Sequence, residues 1–257
     1  MNWNFEPSVV LGITFLAVLY ASSTWRRRRP GEPAPTRAQV VYFTLALLGL
    51  VVALVSPLDD LADHYLLSMH MVQHLLLTLV IPPLLLLSTP AWMLRPLLSV
   101  PLAAPVLRRL TAPVSAYLLF NGVFAGWHAP ALYELTLSNE AVHVLEHLMF
   151  MATAFLAWMP IVSPLPELPR LPYPAMVLYL FLQSVIPTVL GGLITFADGV
   201  LYPTYASAPR VWGMSALEDQ QWGGLIMWIP GAFVYLTALT VVWFVWFEGK
   251  EKVGEIR

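Results

Sequence analysis

The sequence predicts an all-α, polytopic membrane protein that folds as a bundle of seven transmembrane helices. Three observations predict this fold class. Of the 257 residues, 58% are hydrophobic and 11% are charged, whereas a typical soluble domain has about 25% charged residues. The mean hydropathy is +0.71. Seven apolar segments divide the chain, each close to the ~20 residues that a transmembrane helix needs.

We expect these segments to form one transmembrane domain, residues 1–257. Prolines and glycines mark irregularities inside them. Pro82-Pro83 should kink the far end of the third segment, because proline removes a helical hydrogen bond. Pro187 and Gly191-Gly192 predict breaks in the sixth. The connections 59–63, 128–134 and 196–221 are predicted to be loops. The predicted spans are about 8–25, 38–56, 64–88, 113–127, 140–161, 173–195 and 222–247.

The distribution of basic residues orients the bundle, because inner loops carry an excess of Lys and Arg. With the N-terminus outside and the C-terminus cytoplasmic, twelve of the thirteen basic residues are inside and only Arg210 is outside. The run Arg26 to Arg29 contributes most. This run follows the first apolar segment, whereas a signal peptide has its positive charge in front of the apolar region. We therefore expect the first segment to be a retained span. The remaining inner basic residues are Arg37, Arg95, Arg108, Arg109, Arg170, Lys250, Lys252 and Arg257.

Two histidine pairs with the same spacing occur on two of the predicted spans. His70 and His74 are on the third span, and His143 and His147 are on the fifth. Residues four apart lie on one face of a helix, one turn from each other. At a rise of 1.5 Å per residue, the four lie roughly 5–16 Å below the outer ends of their spans. Ionisable groups inside a membrane helix are costly and usually mark a site.

These imidazoles predict a metal site in the outer half of the membrane, provided that the two spans pack together. Imidazole suits Cu, Zn, Fe and Ni, and the chain has no cysteine, which excludes thiolate ligands. Glu146 lies on the same helical face as His143. It could be a metal ligand, a group that orients a histidine ring, or a structural glutamate. Met151, four residues after His147, could add a thioether, which suits Cu(I). The structural alternative is that the histidines form interhelical hydrogen bonds.

Further polar residues are predicted at the outer mouth of this site. His64 and His128 are expected there as ordinary solvated histidines or as ligands. Asp219 is expected to be the N-cap of the seventh span or a carboxylate of the outer site. Other acidic residues on this side suggest an access route for a cation: Asp59, Asp60, Asp63, Glu134, Glu140 and Glu218.

Two other kinds of site remain open from the residues alone. Histidines from two neighbouring helices can hold a haem, as in b-type cytochromes that transfer electrons. The stretch 143–147 also fits the H-x-x-E-H pattern of one class of zinc proteases. The basic residues are not interleaved with aromatic residues, so nothing suggests a nucleic acid partner.

Four motifs resemble those of a known family. They are His70-Met71-Val72-Gln73-His74, Trp127-His128-Ala129-Pro130, the stretch 143–147, and Asp219-Gln220-Gln221-Trp222-Gly223-Gly224. With these motifs in this order along the sequence, the chain resembles the seven-span CtaG family of cytochrome c oxidase assembly factors over nearly its whole length. The resemblance implies a non-enzymatic protein of the bacterial inner membrane. It implies a role in maturing a haem-copper oxidase by delivering or inserting copper, with an oxidase subunit as partner.

Overall fold

In the computed structural model, the described residues are 2–25 and 32–254, and all regular secondary structure in these ranges is helical. The all-α prediction is confirmed for them. The run Arg26 to Arg29 and Arg257, used above to orient the bundle, lie outside the described residues. A π-helical segment, Leu76–Val80, joins α4 to α5. The α-helices are α1 (Pro7–Trp25), α2 (Arg37–Leu54), α3 (Pro57–His64), α4 (Leu67–Leu75), α5 (Ile81–Ser88), α6 (Ala91–Leu98), α7 (Ala103–Leu110), α8 (Pro113–Trp127), α9 (Pro130–Ser138), α10 (Glu140–Val162), α11 (Tyr173–Thr195), α12 (Pro203–Ser207) and α13 (Ala216–Gly254).

Among the described residues, six helical segments are long and apolar enough to cross a membrane. The predicted fourth span is α8, which has 15 residues and is therefore roughly 22 Å long. It packs against α10 and α11. The count of seven spans stays a prediction. The six segments are Pro7–Thr24, Arg37–Leu54, Leu67–Ser88, Glu140–Val162, Tyr173–Thr195 and Ala216–Gly249.

The prediction of loops was wrong at 59–63 and across most of 128–134, because both stretches carry helix-start signals. Ser56 accepts a hydrogen bond from Leu58 N at the start of α3, with proline in its first turn. Proline also occupies the first turn of α9. Proline at a first helical position is favourable, since its missing N–H would have had no partner there. Residues 196–221 contain the short helix α12 and the first turns of α13.

Helix α11 is continuous from Tyr173 to Thr195, so the predicted breaks at Pro187 and Gly191-Gly192 were wrong. Gly191 serves close packing instead. A Cβ on Gly191 would lie 2.7 Å from Gly224 O, and one on Gly224 would lie 2.6 Å from Gly191 O. Because both positions lack a side chain, the backbones of α11 and α13 approach each other directly.

In the third span, the two prolines come shortly after the π-helical segment. Pro82 has no N–H, so it cannot bond the carbonyl four residues earlier, which belongs to Thr78. Trp158 on α10 supplies the missing donor: its indole Nε1 donates to Thr78 O at 3.1 Å. The irregular turn therefore ties α10 to the middle of the third span, just beyond the histidine pairs.

Candidate metal centre

Helix α4, which carries His70 and His74, is fixed at its start by a residue from α13. Its first N–H groups need partners, and the N-cap residue Leu66 makes no side-chain cap. Asp219 Oδ2 accepts from Leu67 N at 2.7 Å, and Asp219 Oδ1 accepts from Ser68 N at 3.2 Å and from Ser68 Oγ at 2.5 Å. A carboxylate at a helix N-terminus is stabilised by both the N–H groups and the helix dipole. The cap sets the depth and rotation of α4.

This arrangement corrects two expectations for Asp219. The N-cap of α13 is Ser215, whose hydroxyl accepts from Glu218 N at 3.2 Å while Glu218 Oε2 accepts from Ser215 N at 2.8 Å. This reciprocal capping starts α13 six residues before the predicted boundary at 222. Asp219 is fully buried and does not lie at the mouth. Its carboxylate caps α4, a different helix from its own.

The two histidine pairs meet between α4 and α10, as the spacing predicts. The imidazole centroids of His70 and His74 are 4.2 Å apart, and those of His143 and His147 are 4.3 Å apart. Across the two helices, His70 and His143 are separated by 5.5 Å, and His74 and His147 by 5.6 Å. Each pair therefore faces the other.

The tautomer of His70 follows from the hydrogen bonds of Tyr205 on α12. The Tyr205 hydroxyl has one proton, and it donates to Ala62 O, a pure acceptor, at 2.6 Å. Towards His70 Nδ1, at 3.1 Å, the same hydroxyl can only accept. Nδ1 therefore carries the ring proton, and Nε2 holds the lone pair that a metal would use. Ligating histidines are commonly oriented through the other ring nitrogen in this way.

His128 is a third buried imidazole beside His70 and His74, and the expectation of a solvated mouth residue was wrong. It is 5% exposed, because α9 and the 202–205 stretch fold over it. Its Nδ1 lies 2.7 Å from Phe124 O and so carries the proton, which leaves Nε2 as an acceptor. Burial lowers the pKa of His128 to about 4. Its ring centroid is 6.1 Å from that of His74.

Many polar atoms of this region are buried without a hydrogen-bond partner. Glu146 is fully buried, with Oε1 4.0 Å from His74 Nε2. The hydroxyl of the nearby Thr136 donates to Tyr133 O instead. Buried polar atoms are nearly always paired, so such a cluster needs a cause, and a role in binding an ion is one. The unpartnered atoms are His70 Nε2, His74 Nδ1 and Nε2, His128 Nε2, His143 Nε2, His147 Nε2, Asp63 Oδ1, and both carboxylate oxygens of Glu146.

Two groups of side chains among the described residues have the spacing of metal ligands, and they share His70. In the first, one donor atom each of His70, His74 and His147 lie within 4.8 Å of one another. The second contains Asp63, His70 and His143 within the same limit. Asp63 Oδ2 lies 3.7 Å from His143 Nδ1. Burial, followed by the charges of Asp59 and Asp60, raises the pKa of Asp63 to about 8.

An acidic cavity of about 490 Å³ leads from the surface to these groups. It is bounded by the start of α1, by α3 and by the start of α10. Among the residues that line it, Asp63, His143 and His147 belong to the two ligand groups. Glu6, Asp59, Asp60, His64 and Glu140 also line it. Of the acidic residues predicted for a cation access route, Asp59, Asp60, Asp63 and Glu140 line this cavity, whereas Glu134 and Glu218 do not.

Some predicted site residues lie outside the cluster. The His64 side chain is 68% exposed at the cavity wall, with Nδ1 3.4 Å from Asp60 Oδ1. Met151 packs with apolar residues between α2 and α5. Conversely, spacing gave no sign of Tyr205, which lies in a stretch without periodicity. Asp63 was noted only as part of an acidic surface, since its contact with His143 depends on how α3 folds back.

Comparisons with known proteins point to one family. A family model described as "Cytochrome c oxidase caa3 assembly factor (Caa3_CtaG)" matches residues 18–249. Similar curated proteins include uncharacterised ones of Mycobacterium bovis and Mycobacterium tuberculosis, each 25% identical over 261 residues and 94% of this chain. One of Mycobacterium leprae is 24% identical over the same length. The chain spans about two-fifths, 39%, of the length of these relatives. No solved structure matches it.

Proposed function

Because the chain belongs to the cytochrome c oxidase caa3 assembly factor family, we propose that it binds copper and delivers or inserts it into a haem-copper oxidase. In this proposal it crosses the bacterial inner membrane seven times, with its N-terminus outside. The partner is an oxidase subunit in the same bilayer. Copper is a cargo, and the protein itself is not an enzyme.

The observation that carries the copper proposal is the set of unpartnered imidazole nitrogens between α4 and α10. His70, His74, His143 and His147 each have an Nε2 atom that is buried without a hydrogen bond. If the histidines only held the helices together, their nitrogens would be used in interhelical hydrogen bonds. Buried imidazole nitrogens that face one another and have no hydrogen-bond partner are available as metal ligands.

The donor set favours copper or zinc over harder cations. Imidazole is a ligand of intermediate softness, and calcium or magnesium would require mostly oxygen atoms. At an equal set of nitrogen ligands, copper(II) binds more tightly than zinc. The family connects the chain to an oxidase that contains copper. Glu146, buried beside His74, would balance part of the charge of the ion.

The direct test is metal analysis and a visible spectrum of detergent-purified protein. We expect copper in the wild type and none in the double variant His70→Ala/His143→Ala. His64→Ala is the matched control, because it removes an exposed histidine of the same end of the molecule. Full copper retention in the double variant would refute the site. Oxidase assembled beside the double variant should also lack copper while the variant accumulates normally.

Two other results would indicate the two alternatives. A haem would give a red protein with a Soret band. The cavity that reaches His143 and His147 is lined by carboxylates, which suits an ion better than the apolar ring of a haem. A zinc protease would lose activity in Glu146→Gln with its metal still bound, since that change removes a general base and leaves the histidines.

A further inference from the structure

We propose that the cation occupies two successive positions that share His70: a loading position formed with Asp63 and His143, and an enclosed position formed with His74 and His147. This inference rests on the proposed copper binding and adds the route by which the ion reaches its final ligands. It also predicts that one ion is bound at a time.

The first step of the argument is that His70 belongs to both groups. In one group a ring nitrogen of His70 lies within 4.8 Å of the donor atoms of Asp63 and His143, and in the other a ring nitrogen of His70 lies within 4.8 Å of those of His74 and His147. His70 itself is fully buried, with Nε2 unpartnered. The acidic cavity reaches Asp63 and His143, and a ring nitrogen of the buried His70 lies within 4.8 Å of their donor atoms.

The second step is that His70 can hold only one ion. Nδ1 carries the ring proton, because Tyr205 donates its own proton to Ala62 O and accepts from Nδ1. Nε2 is then the one nitrogen with a lone pair. A single lone pair binds a single cation, so the two positions exclude each other. They can be filled in turn without the ion leaving His70.

The third step is the direction of transfer, which follows from exposure. The side chains of Asp63 and His143 are 25% and 13% exposed and line the cavity. Of the enclosed position, His147 also lines the cavity, but His74 does not, and its side chain is 3% exposed. An ion that arrives through the cavity meets the first pair before it can reach His74.

The chemistry of the two positions supports the same order. Asp63 offers a carboxyl group, which releases its proton when a cation binds and can share a hydrated ion with water. The enclosed position offers three imidazoles. A bare ion in a low-dielectric interior is very costly, and exchange of one ligand at a time around His70 avoids that state. Asp63 and His143 would be replaced by His74 and His147.

The test separates the rate of copper uptake from the amount bound. Purified apoprotein is mixed with copper(II) in a stopped-flow instrument, and quenching of tryptophan fluorescence reports uptake. Bound copper is counted after removal of free ion. The wild type should bind one copper. Asp63→Asn should bind one copper at equilibrium but take it up roughly 10-fold more slowly, because the carboxylate ligand that first coordinates the incoming cation is lost.

His74→Leu should do the reverse. It keeps the loading position, so uptake should remain fast, but the copper should be held weakly and be removed by a chelator within the mixing time. Electron paramagnetic resonance should then show fewer coordinated nitrogens than in the wild type. Glu140→Gln is the matched control for Asp63→Asn, since it removes an exposed carboxylate of the same cavity that belongs to neither group.

Each other outcome overturns the proposal in a distinct way. Equal slowing by Glu140→Gln would mean that the cavity acts through general charge. Loss of equilibrium binding in Asp63→Asn would mean one site with Asp63 as a permanent ligand. Two coppers in the wild type would refute the shared nitrogen. In all three cases copper binding itself stands, whereas a wild type that binds no copper refutes the proposed function.

Discussion

Two polar regions are buried between the helices of this protein, and they differ in how their hydrogen-bonding groups are used. In the first, on α8, α11 and α10, each donor has an acceptor. Asn121 Nδ2 donates to Gln183 Oε1 at 2.7 Å, Gln183 Nε2 donates to Tyr179 OH at 2.8 Å, and Tyr179 OH donates to Ala157 O at 3.0 Å. The chain of bonds ends on a backbone carbonyl, and only Asn121 Oδ1 lacks a partner.

The second region is the histidine cluster between α4 and α10, where the unpartnered atoms accumulate. The comparison shows that the fold can satisfy buried polar side chains when they serve only to hold helices together. The open nitrogens of the cluster therefore indicate a ligand, since a satisfied network rigidifies a core while an unsatisfied one is costly. Four variants test this difference.

The largest effect is expected for His74→Leu. Leucine removes two unpartnered nitrogens, so the apoprotein should unfold at the same temperature as the wild type or higher. Equilibrium copper affinity should fall at least about 100-fold, or ~2.8 kcal/mol. Thermal unfolding of the apoprotein and a copper titration measure both. A strongly destabilised apoprotein would instead assign His74 a structural role.

Gln183→Leu makes the same change in the satisfied network and should have the opposite result. It leaves Asn121 Nδ2 with only the Tyr117 carbonyl and removes the donor to Tyr179, so the free energy of unfolding should fall by about 2 kcal/mol. Copper stoichiometry should not change. Ser184→Ala is the control, because that hydroxyl bonds only Phe181 O of its own helix. Unchanged stability in Gln183→Leu would remove the contrast between the two regions.

Tyr205→Phe tests the role of the hydrogen bond at His70 Nδ1, the one ring nitrogen of His70 that has a partner. Without the hydroxyl, the tautomer and orientation of His70 are no longer fixed, and copper affinity should fall by about 10-fold. The matched control is Tyr202→Phe, which removes a hydroxyl that donates to His128 O. A competition titration with a copper chelator measures the affinities. Equal effects of the two variants would mean that Tyr205 does not act through His70.

The smallest effect is expected for Trp158→Phe. It removes the donor to Thr78 O, the carbonyl that Pro82 leaves without its helical partner, while keeping an aromatic ring in place. Stability should fall by about 1 kcal/mol, with copper affinity unchanged. Chemical denaturation in mild detergent measures the difference. A loss of copper affinity would show that the π-helical segment positions the histidines.

The sequence predicted the helical class and the pairing of His70/His74 with His143/His147, because both depend on local periodicity and on the high cost of polar groups in a membrane. That the two pairs meet was predicted on the condition that the third and fifth spans pack together, and α10 does pack against α5 and the π-helical segment of the third span. The helical starts at Ser56-Pro57 and Pro130 carried recognisable signals, but composition alone had suggested loops there.

Other parts of the site depend on contacts between residues far apart in the chain, which periodicity does not encode. Asp219 shows this most clearly: a local N-cap was the obvious prediction, yet the nearest set of free N–H groups in space belongs to α4. His128 was expected at the mouth because it follows a span, and only the folding of α9 and the 202–205 stretch over it makes it buried. Tyr205 had no sequence signal.

The cap by Asp219 also determines when the site can form during synthesis of the chain. Asp219 and Leu67 are 152 positions apart in the chain, so a ribosome completes α4 and α10 long before it reaches α13. Until then, the first N–H groups of α4 lack their carboxylate, and His70 and His74 have no fixed frame. Tyr205 on α12, which orients His70, is also made late. A half-synthesised chain therefore presents the histidines without the geometry of the proposed copper site, and we expect the order of synthesis to delay metal loading until the bundle is closed.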